Sequence, residues 1–250
     1  MPDAQTLQEI LSTAPPLETL REWMGPMEER AAPPVFIAET EKQREYMRRV
    51  NNPAAPELPF DLDLFAKIVG HQMYARKFLV RPEQLEVIRG LTAYFSGNPG
   101  PYDLEKGVFL YGGTGSGKTT LMRIFQDARF AIRHPVAMTN MPTLYADMLA
   151  EGQMNLQAQR EKERIFDDAG AENAEIASFG NRVNLFPQLL LLRYEGQHKT
   201  HATSNLTPSE IIQRPGFDDR VQSRMNEMFN IVHLPGGDWR RTKGMEVVPY

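Results

Sequence analysis

The chain of 250 residues carries a formal net charge of −4, with 41% hydrophobic and 24% charged residues, an ordinary balance for a globular protein with one substantial core plus an extension. Its acidic balance excludes a global electrostatic attraction to nucleic acid, so any DNA contact needs a local basic patch. The complete lack of cysteine excludes disulfides and cysteine-ligated metal, and with no apolar stretch near 18 residues and no signal-peptide pattern the expectation is a cytoplasmic protein that makes no membrane contact.

Residues 1–60 hold nine of the nineteen prolines, among them Pro15-Pro16 and Pro33-Pro34. Short amphipathic pieces at 6–11, 17–24 and 39–50 lie between these breaks. Such a segment is too thin for its own core. It reads either as a poorly ordered tail or as an extended arm that docks a partner. Residues 61–106 read as a helical lead-in. Phe65, Ile68, Val69 and Met73, then Leu85, Ile88, Leu91 and Phe95, recur at helical spacing, with Pro82 at a helix start and Gly97-Asn98-Pro99-Gly100 as a stop.

From residue 107 to the end, apolar strands alternate with helices, the pattern of a parallel sheet covered on both faces. Strands are expected at 107–111, 135–139, 163–167, 199–204 and 229–234. The first runs directly into Gly112-Gly113-Thr114-Gly115-Ser116-Gly117-Lys118-Thr119-Thr120. This matches the phosphate-binding template G-x-x-x-x-G-K-[ST], and the flanking strand and helix supply the context the motif requires. The glycines let successive backbone N–H groups face one anion at the positive end of a helix. Lys118 is expected to reach the terminal phosphates of a nucleoside triphosphate, and the Thr119 hydroxyl to ligate Mg²⁺.

The third strand ends in Asp167-Asp168, forty-nine residues past Lys118. Paired acids are common on surfaces. At a strand's end, after a phosphate loop, they point instead to Asp167 holding Mg²⁺ largely through water and Asp168 orienting or deprotonating the attacking water. The fourth strand ends in Thr203-Ser204-Asn205. Asn205 is placed either to cap the next helix or to hydrogen-bond a γ-phosphate, and Thr207, with Pro208 after it and Glu210 three residues on, is the better cap. Farther along, Val221, Met225 and Met228 make an apolar helical face, while Arg220 and Arg224, four apart, share another. On spacing alone the two arginines are a solvated pair, with Asp218 or Glu227 as ion-pair partners.

The order of these motifs resembles the AAA+ ATPases, and within them the DnaC/DnaI-type helicase loaders and the IstB-type transposition ATPases. The residues that carry the likeness are Ile165 to Gly170, Phe179-Gly180-Asn181, Arg193-Tyr194-Glu195, Lys199 to Asn205, and the Arg220 to Met228 helix, across about 107–241. The resemblance implies a five-stranded parallel sheet flanked by helices, ATP and Mg²⁺ as ligands, and ATPase activity. It also implies sensor-1 chemistry for Asn205 and, for Arg224 with Arg220 as close second, an arginine finger inserted into a neighbouring subunit's site. Head-to-tail homo-oligomers, as rings or spirals, follow from such a finger. Only thirteen residues follow Gly236-Gly237, too few for the C-terminal helical lid of many AAA+ proteins, and Arg240 or Arg241 is either the source of sensor-2 chemistry or a surface charge.

These implications converge on an ATP-driven assembly factor acting on a DNA-bound protein, a replicative helicase loader first and a transposition helper second. Its arm is the expected meeting place for the helicase or transposase. Single-stranded DNA is the expected nucleic-acid partner, and Arg160, Lys162 and Arg164, alternating with Glu161 and Glu163, or Arg214, Arg240, Arg241 and Lys243, read either as its basic patch or as solvated surface. A small-molecule phosphotransferase, which needs a basic lid, and a nucleotide-gated scaffold with little hydrolysis are the remaining readings.

Overall fold

The computed structural model describes residues 59–151, 156, 159, 162–171, 176–178 and 181–238. The arm and the basic cluster from Arg240 onward lie outside the described residues, as does Arg160. In chain order the elements are α1 (Leu62–Ala75), a 3₁₀ turn (Pro82–Gln84), α2 (Leu85–Phe95), β1 (Gly107–Tyr111), α3 (Lys118–Ala131), β2 (Ala137–Asn140), α4 (Met141–Glu151) and β3 (Arg164–Asp167). A short hairpin of β4 (Ile176–Ser178) and β5 (Asn181–Val183) follows, then α5 (Leu185–Glu195), β6 (Thr200–Ser204), α6 (Pro208–Ile212), α7 (Asp219–Met228) and β7 (Phe229–His233).

Five strands make one sheet in the order β2-β3-β6-β1-β7, and every pairing is parallel. Side chains alternate across a strand, so β1 feeds both faces. Val108 and Leu110 enter a core with Phe65, Leu91, Phe125 and Ile124 from α1, α2 and α3. Phe109, one residue between them, enters the opposite core with Phe166, Leu189, Leu190, Val221 and Met225. Burial on both faces is why β1 reads as an unbroken apolar run, whereas β6, equally buried, is mostly polar. α1 is started by Asp61, whose carboxylate accepts from Leu64 N–H at 2.8 Å.

All five expected strands are present. β2 begins at Ala137 rather than 135, because Pro135 has no N–H for the ladder and β2 is the sheet's edge. The β4–β5 hairpin was not expected from the sequence: three-residue strands are too short to show a period.

Two buried polar clusters brace the sheet from beneath. Arg193 is wholly buried and faces acceptors with no carboxylate among them: Nε donates to Thr200 Oγ1 (2.8 Å), Nη1 to Gln159 O (2.7 Å), and Nη2 to Lys162 O (2.7 Å) and Lys199 O (2.8 Å). Its guanidinium carbon lies 5.3 Å from the centre of the Phe166 ring. Burial, and Arg164 nearby, lower its pKa to about 10, against some support from Glu163, so it stays charged at neutral pH.

The second cluster joins His201, Glu163 and Arg129. Val108 N–H donates to His201 Nδ1 at 3.1 Å, so the ring proton is on Nε2, which donates to Glu163 Oε1 at 2.9 Å. Arg129 Nη2 donates to Glu163 Oε2 at 2.9 Å. Burial lowers the pKa of His201 and outweighs the opposing pull of Glu163. Burial raises the Glu163 carboxyl, but the His201 hydrogen bond and Arg129 together outweigh it and hold it down at about 2. The signs follow from linkage. Unfolded His201 takes up a proton below its ordinary 6.5 that the folded ring refuses, so stability falls as pH drops through that value. Glu163 contributes stability that is full above 4.5 and is lost as pH falls toward about 2. Thermal unfolding from pH 7.5 to 3.5 should therefore show a decline that starts near pH 6.5 and steepens below 4.5. In His201→Gln, which keeps a donor and an acceptor, the upper limb should flatten. A wild-type midpoint level between pH 7.5 and 5.5 would contradict this account.

Candidate functional site

The loop between β1 and α3 is shaped by glycine. Gly117 sits at φ +98° immediately before α3, a left-handed conformation that side chains resist, and an added Cβ would lie 2.8 Å from the Phe78 ring. At Gly112 an added Cβ would stand 2.4 Å from Leu234 O, so this residue lets the chain after β7 run alongside the loop. Gly113 and Thr114 are exposed at the tip, Ser116 is buried, and Thr120 is half-buried in the first turn of α3. The loop thus ends at the N-terminus of a 14-residue helix, where backbone N–H groups and the helix dipole favour an anion.

Lys118 is only 4% exposed. Its ammonium donates to Gly112 O (2.9 Å), Gly113 O (2.9 Å) and Asn205 Oδ1 (2.8 Å). Burial lowers its pKa, partly offset by Asp168 and Asp167. An ammonium has donors only, so the Asn205 atom facing it is the oxygen, and the Nδ2 donors are aimed away from it. Thr119 Oγ1 donates to Asp167 Oδ1 at 2.8 Å, and Thr203 Oγ1 donates to the same oxygen at 2.7 Å. Asp167 is 1% exposed. Asp168, half-buried, sits at φ +58°, a strained conformation for a non-glycine residue, and its N–H donates to Thr203 Oγ1 at 3.0 Å. One hydroxyl therefore fixes both acids.

These contacts exist because β6 lies between β1 and β3. The carboxyl ends of three neighbouring strands then present the loop lysine, the Asn and the two acids to one place, the location where ligands sit in open parallel sheets. The fold is that of a P-loop NTPase.

No protein-family model and no curated protein matches this chain. Among solved structures it resembles a Streptococcus pyogenes serotype M3 protein provisionally assigned as a primosome component, at 21% identity and a TM-score of 0.48, covering 63% of this chain and 82% of that one. It also resembles the DnaC helicase loader, at 18% identity and 0.44, covering 62% and 92%. AMPPCP-bound DnaA from Aquifex aeolicus is similar at 18% and 0.44, covering 67% of this chain and 51% of that one. These are likenesses of fold. The sheet with helices on both faces is the one the AAA+ resemblance implied.

A hydroxyl and a carboxylate, Thr119 and Asp167, form a hard-oxygen pair that fits Mg²⁺, a cation that takes few protein ligands and keeps several waters. No group of three or more His, Cys, Asp or Glu able to hold a metal occurs among the described residues. Nor is any helix among them long and apolar enough to cross a membrane.

The structure brings Lys118, Thr119, Asp167, Asp168 and Asn205 together. Thr207 caps α6, accepting from Glu210 N–H at 3.2 Å, so Asn205 is not spent as a cap. Arg220 and Arg224 lie elsewhere, on α7 beside α5. Neither Asp218 nor Glu227 takes them as ion-pair partners: Asp218 caps α7 through Val221 N–H, and Glu227 accepts from the Tyr194 hydroxyl. Of the first basic patch, Lys162 is exposed, while Arg164 donates to Thr139 Oγ1.

Two residues that shape the site were missed in the sequence. Thr203 stood in the Thr-Ser-Asn strand end without a role of its own, and its hydroxyl gains meaning only from the β3–β6 pairing. Gln84, fully buried, donates from Nε2 to Ser116 O (3.1 Å) and Pro235 O (2.7 Å) and so ties the loop to the chain after β7. A polar residue at a helix start carries no signal for either partner.

Proposed function

We propose that this protein is an ATP-hydrolysing assembly factor of the AAA+ type that acts on a DNA-bound protein, specifically a replicative helicase loader. The observation that carries the ATPase reading is the meeting of Lys118, Asn205, Thr119–Asp167 and Asp168 at the carboxyl ends of the neighbouring strands β3, β6 and β1. The loader reading rests on the order of motifs along the chain and on Arg224. Division into an arm at 1–60, a lead-in at 61–106 and an ATPase domain from 107 belongs to the same proposal.

Bound through Thr119 and Asp167, Mg²⁺ would neutralise charge on the β- and γ-phosphates. Lys118 is the cation for the same oxygens, and the loop N–H groups from Gly113 to Thr120 wrap the phosphates. Asn205, its oxygen engaged by Lys118, turns its Nδ2 donors to the γ-phosphate or the attacking water. Asp168 takes the proton as that water's oxygen bonds to the γ-phosphorus and the bond to the β-phosphate oxygen breaks. Arg224 of a neighbouring subunit stabilises the charge on the transferring group. ATP then holds subunits together head to tail, and loss of the γ-phosphate releases them.

Light scattering under ADP and under a slowly hydrolysed ATP analogue tests this. Assembly with the analogue alone, abolished by Arg224→Ala, is the expected result. A monomer under every condition, with Arg224→Ala turning over ATP as the wild type does, would overturn the shared site and favour a small-molecule phosphotransferase.

A further inference from the structure

The guanidinium of Arg224 is not loose in solvent. Its central carbon lies 4.5 Å from the centre of the Tyr194 ring. The Tyr194 hydroxyl donates to Glu227 Oε2 at 2.6 Å, and Ser223 Oγ approaches Glu227 Oε1 at 3.4 Å. Residues 224 and 227 stand on one face of α7, so that helix grips the ring at its face with a cation and at its hydroxyl with a carboxylate. The ring itself is anchored from the other side. Tyr194 follows Arg193 in the last turn of α5, and the four bonds of the Arg193 guanidinium fix that turn to the chain entering β3 and β6. Arg220, exposed on α7, has no ring or carboxylate seat among the described residues.

We propose that Tyr194 is the positioning residue for Arg224: it holds the guanidinium, at a fixed place relative to β3 and β6, ready to enter the neighbouring subunit's nucleotide site, and Glu227 fixes the ring. This rests on the reading of Arg224 as the group that completes that site, and it selects Arg224 over Arg220. A free arginine side chain spreads over many rotamers, and a cation seated on an aromatic face is restricted to few of them. The gain appears in the rate of the bound complex, not in the affinity of a subunit for its own nucleotide.

The experiment measures kcat and KM for ATP hydrolysis in Tyr194→Leu, Tyr194→Phe and Arg224→Ala, each alone and mixed with Lys118→Ala protein, with the unfolding midpoint of each as a check. Tyr194→Leu is expected to lower kcat about three- to tenfold with KM nearly unchanged, and Tyr194→Phe, which keeps the ring face but loses its bond to Glu227, to lower it only about two- to threefold. Mixing Tyr194→Leu with Lys118→Ala should restore turnover, because the Lys118→Ala subunit still carries a seated Arg224. Should Tyr194→Leu unfold, Glu227→Ala, an exposed change that frees the ring, should lower kcat about two- to threefold. Wild-type or increased kcat in Tyr194→Leu, or a loss that mixing does not restore while Arg224→Ala is rescued by the same mixing, overturns the proposal alone. Wild-type turnover in Arg224→Ala overturns it together with the shared site.

Discussion

Lys118→Ala is expected to lower ATP turnover roughly 10³-fold, since removing one preorganised donor to a developing oxyanion costs about 10²–10³ and Lys118 also carries the charge. Its unfolding midpoint should move by no more than a few degrees. The separation follows from where the ammonium lies. It is 4% exposed, and its partners are two loop carbonyls, an amide oxygen and, at 3.5 Å, the Ser116 hydroxyl, rather than a paired carboxylate. Burial lowers its pKa, so the folded state carries the charge at a cost that only Asp168 and Asp167 relieve. A group kept charged at a cost to stability, yet in reach of an anion-binding loop, fits a role in the bound complex. Lys118→Arg should rescue little, because a planar fork does not fit where a compact point charge does. Turnover within tenfold of wild type in Lys118→Ala, measured at saturating ATP, would sink the assignment of the lysine.

The largest stability effect is expected at Arg193→Ala, a loss of about 4 kcal/mol from four buried acceptors left without their donor and the space left by the side chain. Three backbone carbonyls and the Thr200 hydroxyl oxygen lose their donor together. Each buried polar group left unsatisfied costs about 1–3 kcal/mol, and the lost side chain leaves a space beside Phe166. For a protein of this size the midpoint should fall about 10 °C, at about 2–4 °C per kcal/mol. Arg193→Lys should recover only a minor part, because one ammonium cannot span acceptors from residues 159, 162, 199 and 200. A differential scan reads the result directly. A fall of under 3 °C would mean that water replaces the guanidinium and that the site is not sealed.

The phosphate loop was legible because its chemistry is local: glycine where φ turns positive, lysine and threonine at fixed offsets, a strand before and a helix after. β1 was legible because burial on both faces writes an apolar run into the chain, while β6, just as buried, shows only one apolar residue and was read from its polar end. Asp167, Asp168 and Asn205 were legible as polar residues at the carboxyl ends of expected strands. What stayed hidden depends on register between strands far apart in sequence. Thr203 serves two acids only because β3 pairs with β6. Arg193 stood out as part of a resemblance, but its four acceptors lie in three segments that no period links. The seat of Arg224 was hidden for the same reason, since Tyr194 is thirty residues upstream on another helix, and the neighbouring acids looked like simpler partners. Where a strand is an edge, as in β2, or three residues long, as in β4 and β5, pattern fails because there is too little of it.

Gln84 sets an order of events during synthesis. Its amide spans 32 residues to Ser116 and 151 residues to Pro235. At about 5–20 residues per second, the ribosome delivers the second of these partners roughly 8 to 30 s after Gln84 itself. Until then the nascent chain contains every residue of the phosphate loop but lacks the strap that backs it. The backing of the phosphate loop therefore waits for a residue 151 positions downstream of Gln84, and a chain stalled or cut before β7 lacks that strap.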